Sequence, residues 1–328
     1  MNTALLEVLR CPRSGEKLVL EQPEYVDKLV FAGSLVPEGR AHRYPIRDFI
    51  PRFVAESNYA DNFGMQWNHF RQTQLDSHSG HPISADRFWK ATGWRPEDLA
   101  GKLILDAGCG SGRFAEVALG AGAQVVALDY SCAVDACYAN LKGHPNLHVV
   151  QGDIYALPFA KSAFDFVYSL GVLQHTPDVA KAFRALPPFI SEGGQLCVDF
   201  YCKRITAMLH GKYLLRPITR RMHREKLFRA LESAIPFLLP LSQQLGRIPI
   251  IGRILKRLVP IADYTNVYPL NERQLQEWAL LDTFDMLSPA YDSPQTPGTV
   301  MRWLETCGLA DARVFFADHL VARARRAA

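Results

Sequence analysis

The stretch Leu103-Ile104-Leu105-Asp106-Ala107-Gly108-Cys109-Gly110-Ser111-Gly112 runs an apolar segment into three alternating glycines, with an acid two residues ahead of the first. Glycines at such a turn let backbone amides come close to a ligand, and a helix starting behind them adds partial positive charge. Their spacing, Gly108, Gly110, Gly112 and then Arg113, displaces the third glycine of a dinucleotide fingerprint. Asp106 would repel a pyrophosphate but suits a cationic or zwitterionic amino-acid group. Two further acids stand where later apolar runs end. Asp129, in Val125-Val126-Ala127-Leu128-Asp129-Tyr130-Ser131, can accept both hydroxyls of a ribose, and Asp153, in Gly152-Asp153-Ile154, can meet an adenine amino group. The chemistry expected is recognition of a nucleoside with a charged amino-acid arm.

Such residues need a sheet that brings its strand ends into one crevice. Apolar runs at Leu103 to Ala107, Gln124 to Leu128, Leu147 to Val150, Phe164 to Leu170 and Gln195 to Phe200 read as buried strands, and helical stretches lie between them. Alternation of this kind predicts a parallel sheet covered on both faces. The chain closes with helices predicted over Asn271 to Leu281 and Pro297 to Cys307. Strand candidates at Ala312 to Ala317 and Leu320 to Ala324 then complete the sheet with an antiparallel edge. Residues 1–55 are short strands punctuated by Pro and Gly, and the two prolines of Tyr44-Pro45-Ile46-Arg47-Asp48-Phe49-Ile50-Pro51 forbid a helix there.

From about Lys102 to Tyr201 the chain resembles the class I S-adenosylmethionine-dependent methyltransferases, in particular their broad small-molecule branch. The resemblance rests on the glycine loop, Asp129, Gly152-Asp153-Ile154-Tyr155-Ala156-Leu157-Pro158-Phe159, Phe164-Asp165-Phe166-Val167-Tyr168-Ser169, Val172-Leu173-Gln174-His175 and Gly193-Gly194. It implies a Rossmann-like, seven-stranded, mostly parallel α/β sheet with S-adenosyl-L-methionine as cofactor. Asp106 and the backbone of Gly108, Cys109, Gly110 and Gly112 would hold the methionine end, and Asp129 the ribose. Tyr130 and Ile154 would flank the adenine, with Asp153 at its amino group and the Leu170 carbonyl near the sulfonium.

Methyl transfer from a sulfonium is an in-line displacement with an activated leaving group, so an enzyme mainly aligns the nucleophile and takes its proton. His175 follows the fourth strand of the core at the carboxyl edge, where ligands bind in such sheets, and is the expected base. No Asn-Pro-Pro-Tyr or Asp-Pro-Pro-Tyr run and no Pro-Cys nucleophile follows that strand, which counts against modification of nucleic-acid base amines. Trp67, Asp285 and Tyr291 are expected on the acceptor side, from two polar-aromatic, loop-like stretches, Phe63 to Trp67 and Leu281 to Tyr291.

The 328 residues, 48% hydrophobic and 21% charged, exclude wholesale disorder and fibrous repeats. No apolar stretch approaches the roughly 20 residues that span a bilayer. Glu7 and Arg10 interrupt any signal-peptide core, so the expected location is the cytoplasm, with association at the inner membrane face as an option. The seven cysteines are expected to be reduced. A net charge of +4 conceals an asymmetry: between Cys202 and Pro260 stand 13 Lys and Arg against Glu225 and Glu232.

That basic segment has helical periodicity. Leu227, Phe228, Leu231, Ile235 and Leu238 form one apolar face, and Ile251, Ile254, Leu255, Leu258 and Val259 a second, opposite Arg253, Lys256 and Arg257. Three roles suit it: a lid over the active site, contact with an anionic membrane, or, as the lesser option, nucleic acid. Residues 4–53 resemble the zinc-ribbon module of small activator proteins of tRNA and protein methyltransferases. Ser14 stands where a second cysteine would follow Cys11, and no later Cys pair appears, so no metal is expected.

The division expected is therefore 1–55, a degenerate ribbon; 56–101, a helical extension or lid; 102–201, the cofactor core; 202–270, the basic insertion after the fifth core strand; and 271–328, completion of the sheet. The expected function is methyl transfer to a small-molecule acceptor such as a glycan or lipid-linked intermediate. The alternatives are an RNA methyltransferase and a non-catalytic cofactor-binding partner protein.

Overall fold

Short strands rich in β-branched and apolar residues pair at the amino terminus of the computed structural model, which describes residues 1–39, 42–55, 60–203 and 211–327. Strands β1 (Leu18–Val26), β2 (Leu29–Pro37), β3 (Tyr44–Arg47) and β4 (Ile50–Pro51) form an antiparallel sheet in that order. Leu5, Leu9, Val30, Leu35 and Ile46 share one core with Phe159 and Phe164 of the central domain. The Arg52 guanidinium also donates to Gln151 Oε1 at 2.9 Å and Asp135 Oδ1 at 2.7 Å. The cysteine of the ribbon-like motif, Cys11, has its Sγ 3.2 Å from the Tyr44 hydroxyl, and Ser14 donates to Glu16 at 2.6 Å.

Helices α1 (Asp61–His69), α2 (Asp76–Ser79), α3 (Ile83–Thr92) and α4 (Pro96–Leu99) lead into the central sheet. The loop expected over Phe63 to Trp67 is thus helical. Gly64 allows it, since a Cβ there would fall 2.4 Å from Cys132 Sγ and 3.2 Å from the Cys132 nitrogen, so its absence lets α1 lie directly on the start of the helix that begins at Ala133.

The sheet strands are β5 (Leu103–Ala107), β6 (Gln124–Asp129), β7 (Leu147–Gln151), β8 (Phe164–Ser169) and β9 (Ile190–Phe200), with α5 (Arg113–Gly120), α6 (Ala133–Leu141) and α7 (Val179–Ala185) between them. After β9 come α8 (Lys212–Thr219), α9 (Arg224–Gly246), α10 (Gly252–Leu258), α11 (Glu272–Leu287), α12 (Pro297–Thr306), β10 (Leu309–Ala317) and β11 (His319–Arg326). The seven strands lie in the order β10-β11-β9-β8-β5-β6-β7. Those from β9 to β7 are parallel, and β11 pairs antiparallel with β9. Val125, Val126 and Ala127 are fully buried, as expected of strands covered on both faces. Strand order reverses at β5, whose chain neighbour β6 lies on one side and β8 on the other. A crevice opens at such a switch point, beyond the carboxyl ends of the strands.

In the basic insertion, α9 buries Leu227, Leu231, Ile235 and Leu239, each four residues from the last, against Ala279, Phe284 and Leu287 of α11. The second expected face does not pack: Ile251, Ile254 and Leu258 are exposed, and only Val259 is buried. Helix α10 instead meets the end of α9 through Gly252, where a Cβ would lie 2.7 Å from the Leu245 carbonyl, and this turns the isoleucines outward. The side chains of Arg253 and Arg257, and residues 204–210, lie outside the described residues. Helix α11, opened by a reciprocal Asn271–Gln274 capping box, runs to Leu287, so Leu281 to Leu287 is helical rather than the loop expected. No helix among the described residues is long and apolar enough to cross a membrane.

Candidate active site

The glycine loop folds as its residue types dictate. Gly108, Gly110 and Gly112 have φ of +102°, +53° and +93°, a region that side chains rarely enter. A Cβ on Gly108 would also meet the Val172 side chain at 2.4 Å, and one on Gly110 the Trp67 indole at 3.2 Å. The amides of Gly108 and Cys109 both donate to the Leu128 carbonyl, at 2.7 and 2.9 Å, which ties the loop to the end of β6. Asp129 completes the tie: its Oδ2 accepts from the Gly110 amide at 3.0 Å, and its Oδ1 from the Ser131 amide and hydroxyl at 2.9 and 2.7 Å.

Above this loop is a cleft of about 830 Å³, counting its open mouth, within the usual range for small-ligand sites. Of the residues singled out in the sequence, Gly108, Cys109, Gly110, Asp129, Tyr130, Ile154 and Leu170 line it, and so do His175, Trp67 and Asp285. Gly112 instead caps α5 behind the loop. Asp153 is partly buried beside the cleft, where its Oδ1 accepts from the Tyr155 amide at 2.8 Å.

Tyr291, expected on the acceptor side, does not line this cleft: it borders a separate hollow with Arg216 and Arg220, and its backbone carbonyl reaches His175. That carbonyl lies 3.1 Å from His175 Nδ1. A carbonyl can only accept, so Nδ1 donates and carries the hydrogen, which leaves Nε2 with a lone pair. Nε2 is buried and has no hydrogen-bond partner among the described residues. The ring is steadied by Phe63 at 5.2 Å and by Tyr201, edge to face at 5.4 Å. The Tyr201 hydroxyl donates in turn to Asp285 Oδ2 at 3.4 Å.

Sequence reasoning missed the frame behind the cleft. Asp199, buried on β9, accepts from the Gly171 amide at 2.5 Å and pairs with Arg87 at 2.8 Å, which sets the turn that carries Leu170 and Val172. Burial alone would raise the Asp199 carboxyl, but the Arg87 guanidinium, His319 and the amide hold it below the usual range. The available signal was a carboxylate near the end of an apolar strand. Arg113, the residue after the glycine loop, lines the cleft too, held by the Ser84 hydroxyl and by Gln74.

Asp106 lies beneath the loop, 2% exposed, beside the buried Tyr168 hydroxyl and with no cation paired to it among the described residues. Burial pushes its carboxyl up to about 8. A buried acid without a cation is the complement of a ligand's ammonium group, and loop amides with Asp129 complement a ribose-bearing arm. The residues present thus fit S-adenosylmethionine.

Residues 105–198 match the family described as methyltransferase domain. The chain is 36% identical over 129 residues to the tRNA U34 carboxymethyltransferase of Sodalis glossinidius, covering 36% of this chain and 39% of that protein. It is 30% identical over 137 residues to the ubiquinone biosynthesis O-methyltransferase of Aromatoleum aromaticum, covering 39% and 58%. The chain therefore spans about two fifths to three fifths of the length of these curated relatives. A solved structure of a putative S-adenosyl-L-methionine-dependent methyltransferase from Methanococcus maripaludis is similar at a TM-score of 0.46 and 14% identity, over 84% of this chain and 97% of that one. Neither curated name refers to a glycan or a lipid-linked acceptor, which leaves that expectation without support, and the tRNA name removes the ground for ranking nucleic acid lower. The central domain of this protein is an S-adenosylmethionine-dependent methyltransferase domain.

Proposed function

We propose that the protein transfers a methyl group to a hydroxyl or ring nitrogen of an acceptor that enters between α1 and α11, with His175 as the base. One observation carries this reading: His175 lines the same cleft as the glycine loop and Asp129, and its buried Nε2 has no hydrogen-bond partner among the described residues. The loop amides and Asp106 would hold the cofactor's amino-acid arm, and Asp129 its ribose. Tyr130 and Ile154 would flank the adenine, with Asp153 beside its amino group. When bound, the cofactor supplies a methyl group on a cationic sulfur, already activated for displacement. The chain's own part is to align the acceptor and take its proton. Nε2 accepts that proton while the Tyr291 carbonyl keeps the imidazole in the required tautomer. Phe63 and Trp67 wall the cleft against water and offer faces on which a planar acceptor can stack. Asp285, oriented by Tyr201, is placed to accept a second acceptor hydrogen bond.

A second reading, transfer to tRNA, is favoured by the relatives' printed name and by the excess of Lys and Arg between Cys202 and Pro260. Cofactor carrying a labelled methyl group, supplied with separate small-molecule and RNA fractions of cell extract, tests both. Label entering small molecules supports the first reading, and label entering RNA the second. With neither labelled, the protein is a cofactor-binding partner of another enzyme. His175→Gln should lower turnover by about 10²- to 10⁴-fold while leaving cofactor affinity unchanged; a fully active variant removes His175 as the base.

A further inference from the structure

The helices of the insertion present two apolar surfaces, and only one is used. The buried surface of α9 packs on α11 through Leu227, Leu231, Ile235 and Leu239. The other surface is bare: Leu214 is 79% exposed, Ile218 65%, Phe237 78%, Ile250 98%, Ile254 64% and Leu258 57%. Isolated exposed apolar residues are ordinary, but this density across three consecutive helices is not. The helix ends adjoin. A Cβ on Gly211 would lie 2.6 Å from the Leu258 carbonyl, which brings the start of α8 against the end of α10, and Gly252 seats α10 on the end of α9. Leu214 and Leu258 thus flank one junction, and Ile250 and Ile254 the other. Ile250 stands at φ +67°, a conformation that β-branched residues seldom adopt, with its side chain fully in solvent.

Charge identifies the occupant. Some cations of the segment are used internally: Lys212 pairs with Asp292 at 3.0 Å, Arg216 donates to the Met286 and Pro289 carbonyls, and Lys256 pairs with Asp263 at 2.9 Å. Arg220 and Arg221 just after α8, Lys226 and Arg229 on α9 and Arg247 at its end are exposed as well. Exposed aliphatic side chains interleaved with arginines match a bilayer interface, where the apolar groups enter the acyl boundary and the cations reach anionic headgroups. RNA fits less well, since single strands are held by stacked aromatic rings along a basic groove, and five of these six residues are aliphatic. We propose that the outer face of α8–α10 docks the protein on the surface of an anionic phospholipid bilayer.

Flotation of the full-length protein with phosphatidylglycerol–phosphatidylcholine vesicles, against pure phosphatidylcholine, tests this without reference to catalysis. The protein should float with the anionic vesicles only. Ile250→Ser combined with Ile254→Ser should lower the bound fraction at least about tenfold, from the lost burial of two large aliphatic groups. Arg220→Glu with Arg221→Glu should do the same by repelling headgroups, to on the order of tenfold or more. Thermal unfolding should match the parent, because all four side chains are exposed. If the isoleucine pair disturbs folding, Leu214→Ser with Ile218→Ser serves as the second apolar test. Absence of flotation overturns the proposal, and so does binding that responds to the arginine pair but not to either apolar pair. It is equally overturned if the isoleucine substitutions abolish saturable RNA binding, or if light scattering shows a dimer that they dissociate, since the face then belongs to RNA or to a second copy.

Discussion

The imidazole of His175 is oriented by the backbone carbonyl of Tyr291, 116 residues away in sequence, through a hydrogen bond of 3.1 Å. That carbonyl belongs to the loop between α11 and α12, which is pinned at several points. The Ser293 amide donates to the Gln174 carbonyl at 3.0 Å, Arg216 binds the Met286 and Pro289 carbonyls, and Lys212 pairs with Asp292 at 3.0 Å. Helix α8 of the basic insertion thereby holds the loop that holds the proposed base.

Loosening this clamp should cost turnover and spare cofactor binding. Lys212→Ala removes the nearer cation of Asp292, from an ion pair whose side chains are 12% and 3% exposed, and leaves the buried carboxylate only Arg216 at 3.8 Å, so the loop shifts. We expect turnover to fall about tenfold or more, as small misplacements of aligned groups do, with partial rescue by Lys212→Arg. Steady-state kinetics beside calorimetry of cofactor binding checks this, and a parallel loss of both would show a general structural defect.

Asp106 predicts a pH dependence of stability. Its folded value of about 8 lies above the ordinary carboxylate value, so the folded state keeps the proton longer than the unfolded chain. Below the ordinary value the group contributes nothing. Between there and about pH 8 it should cost the cofactor-free protein roughly 1.4 kcal/mol per pH unit. Denaturant titrations across that window should show the decline, and Asp106→Asn should flatten it. Cofactor binding at pH 7 should also release protons, seen as a binding enthalpy that varies with buffer ionisation heat. A buffer-independent enthalpy would mean that the ligand's cation does not meet this carboxyl.

Asp129→Ala should weaken cofactor binding by about 1.5–3 kcal/mol, the worth of hydrogen bonds to a charged acceptor. The Gly110 amide loses its partner as well, so the glycine loop should become more mobile, visible as faster amide exchange over Gly108 to Gly112. Unchanged affinity would show that the ribose is held elsewhere.

A glycine in an exposed helix usually gains about 0.5–1 kcal/mol when replaced by alanine. Gly64→Ala should do the opposite. Its Cβ would fall 2.4 Å from Cys132 Sγ and 3.2 Å from the Cys132 nitrogen, forcing α1 away from α6 and lifting Trp67 off Gly110. A lower melting temperature together with weaker cofactor binding is the expected result. Relief of the defect by Cys132→Ala, which removes the closer contact, would locate its cause.

Local chemistry made the central strands, the glycine turn and its neighbouring acids legible. A short apolar run bounded by turn residues suits a strand covered on both faces, and a turn needing positive φ at Gly108, Gly110 and Gly112 is written in the residues that can adopt it. The same locality explains the errors. Phe63 to Trp67 looks like a loop because its glycine is a helix breaker in isolation, and the contact with Cys132 that favours it belongs to another part of the chain. Leu281 to Tyr291 mixes polar and aromatic residues without a clear period, since α11 packs on one side against α9 and contributes Asp285 to the cleft on another.

By itself, then, the sequence determined a parallel α/β sheet, its glycine loop and the strand-end acids, because periodicity and backbone sterics act over a few residues. Only the tertiary structure decided that Tyr291 meets His175 through its carbonyl, that Arg87 and Asp199 frame the cleft across 112 residues, and that apolar residues of the basic helices stay exposed among the described residues. Those outcomes depend on which distant surfaces meet, and burial, charge pairing and hydrogen-bond satisfaction acquire their values only once the chain has closed on itself.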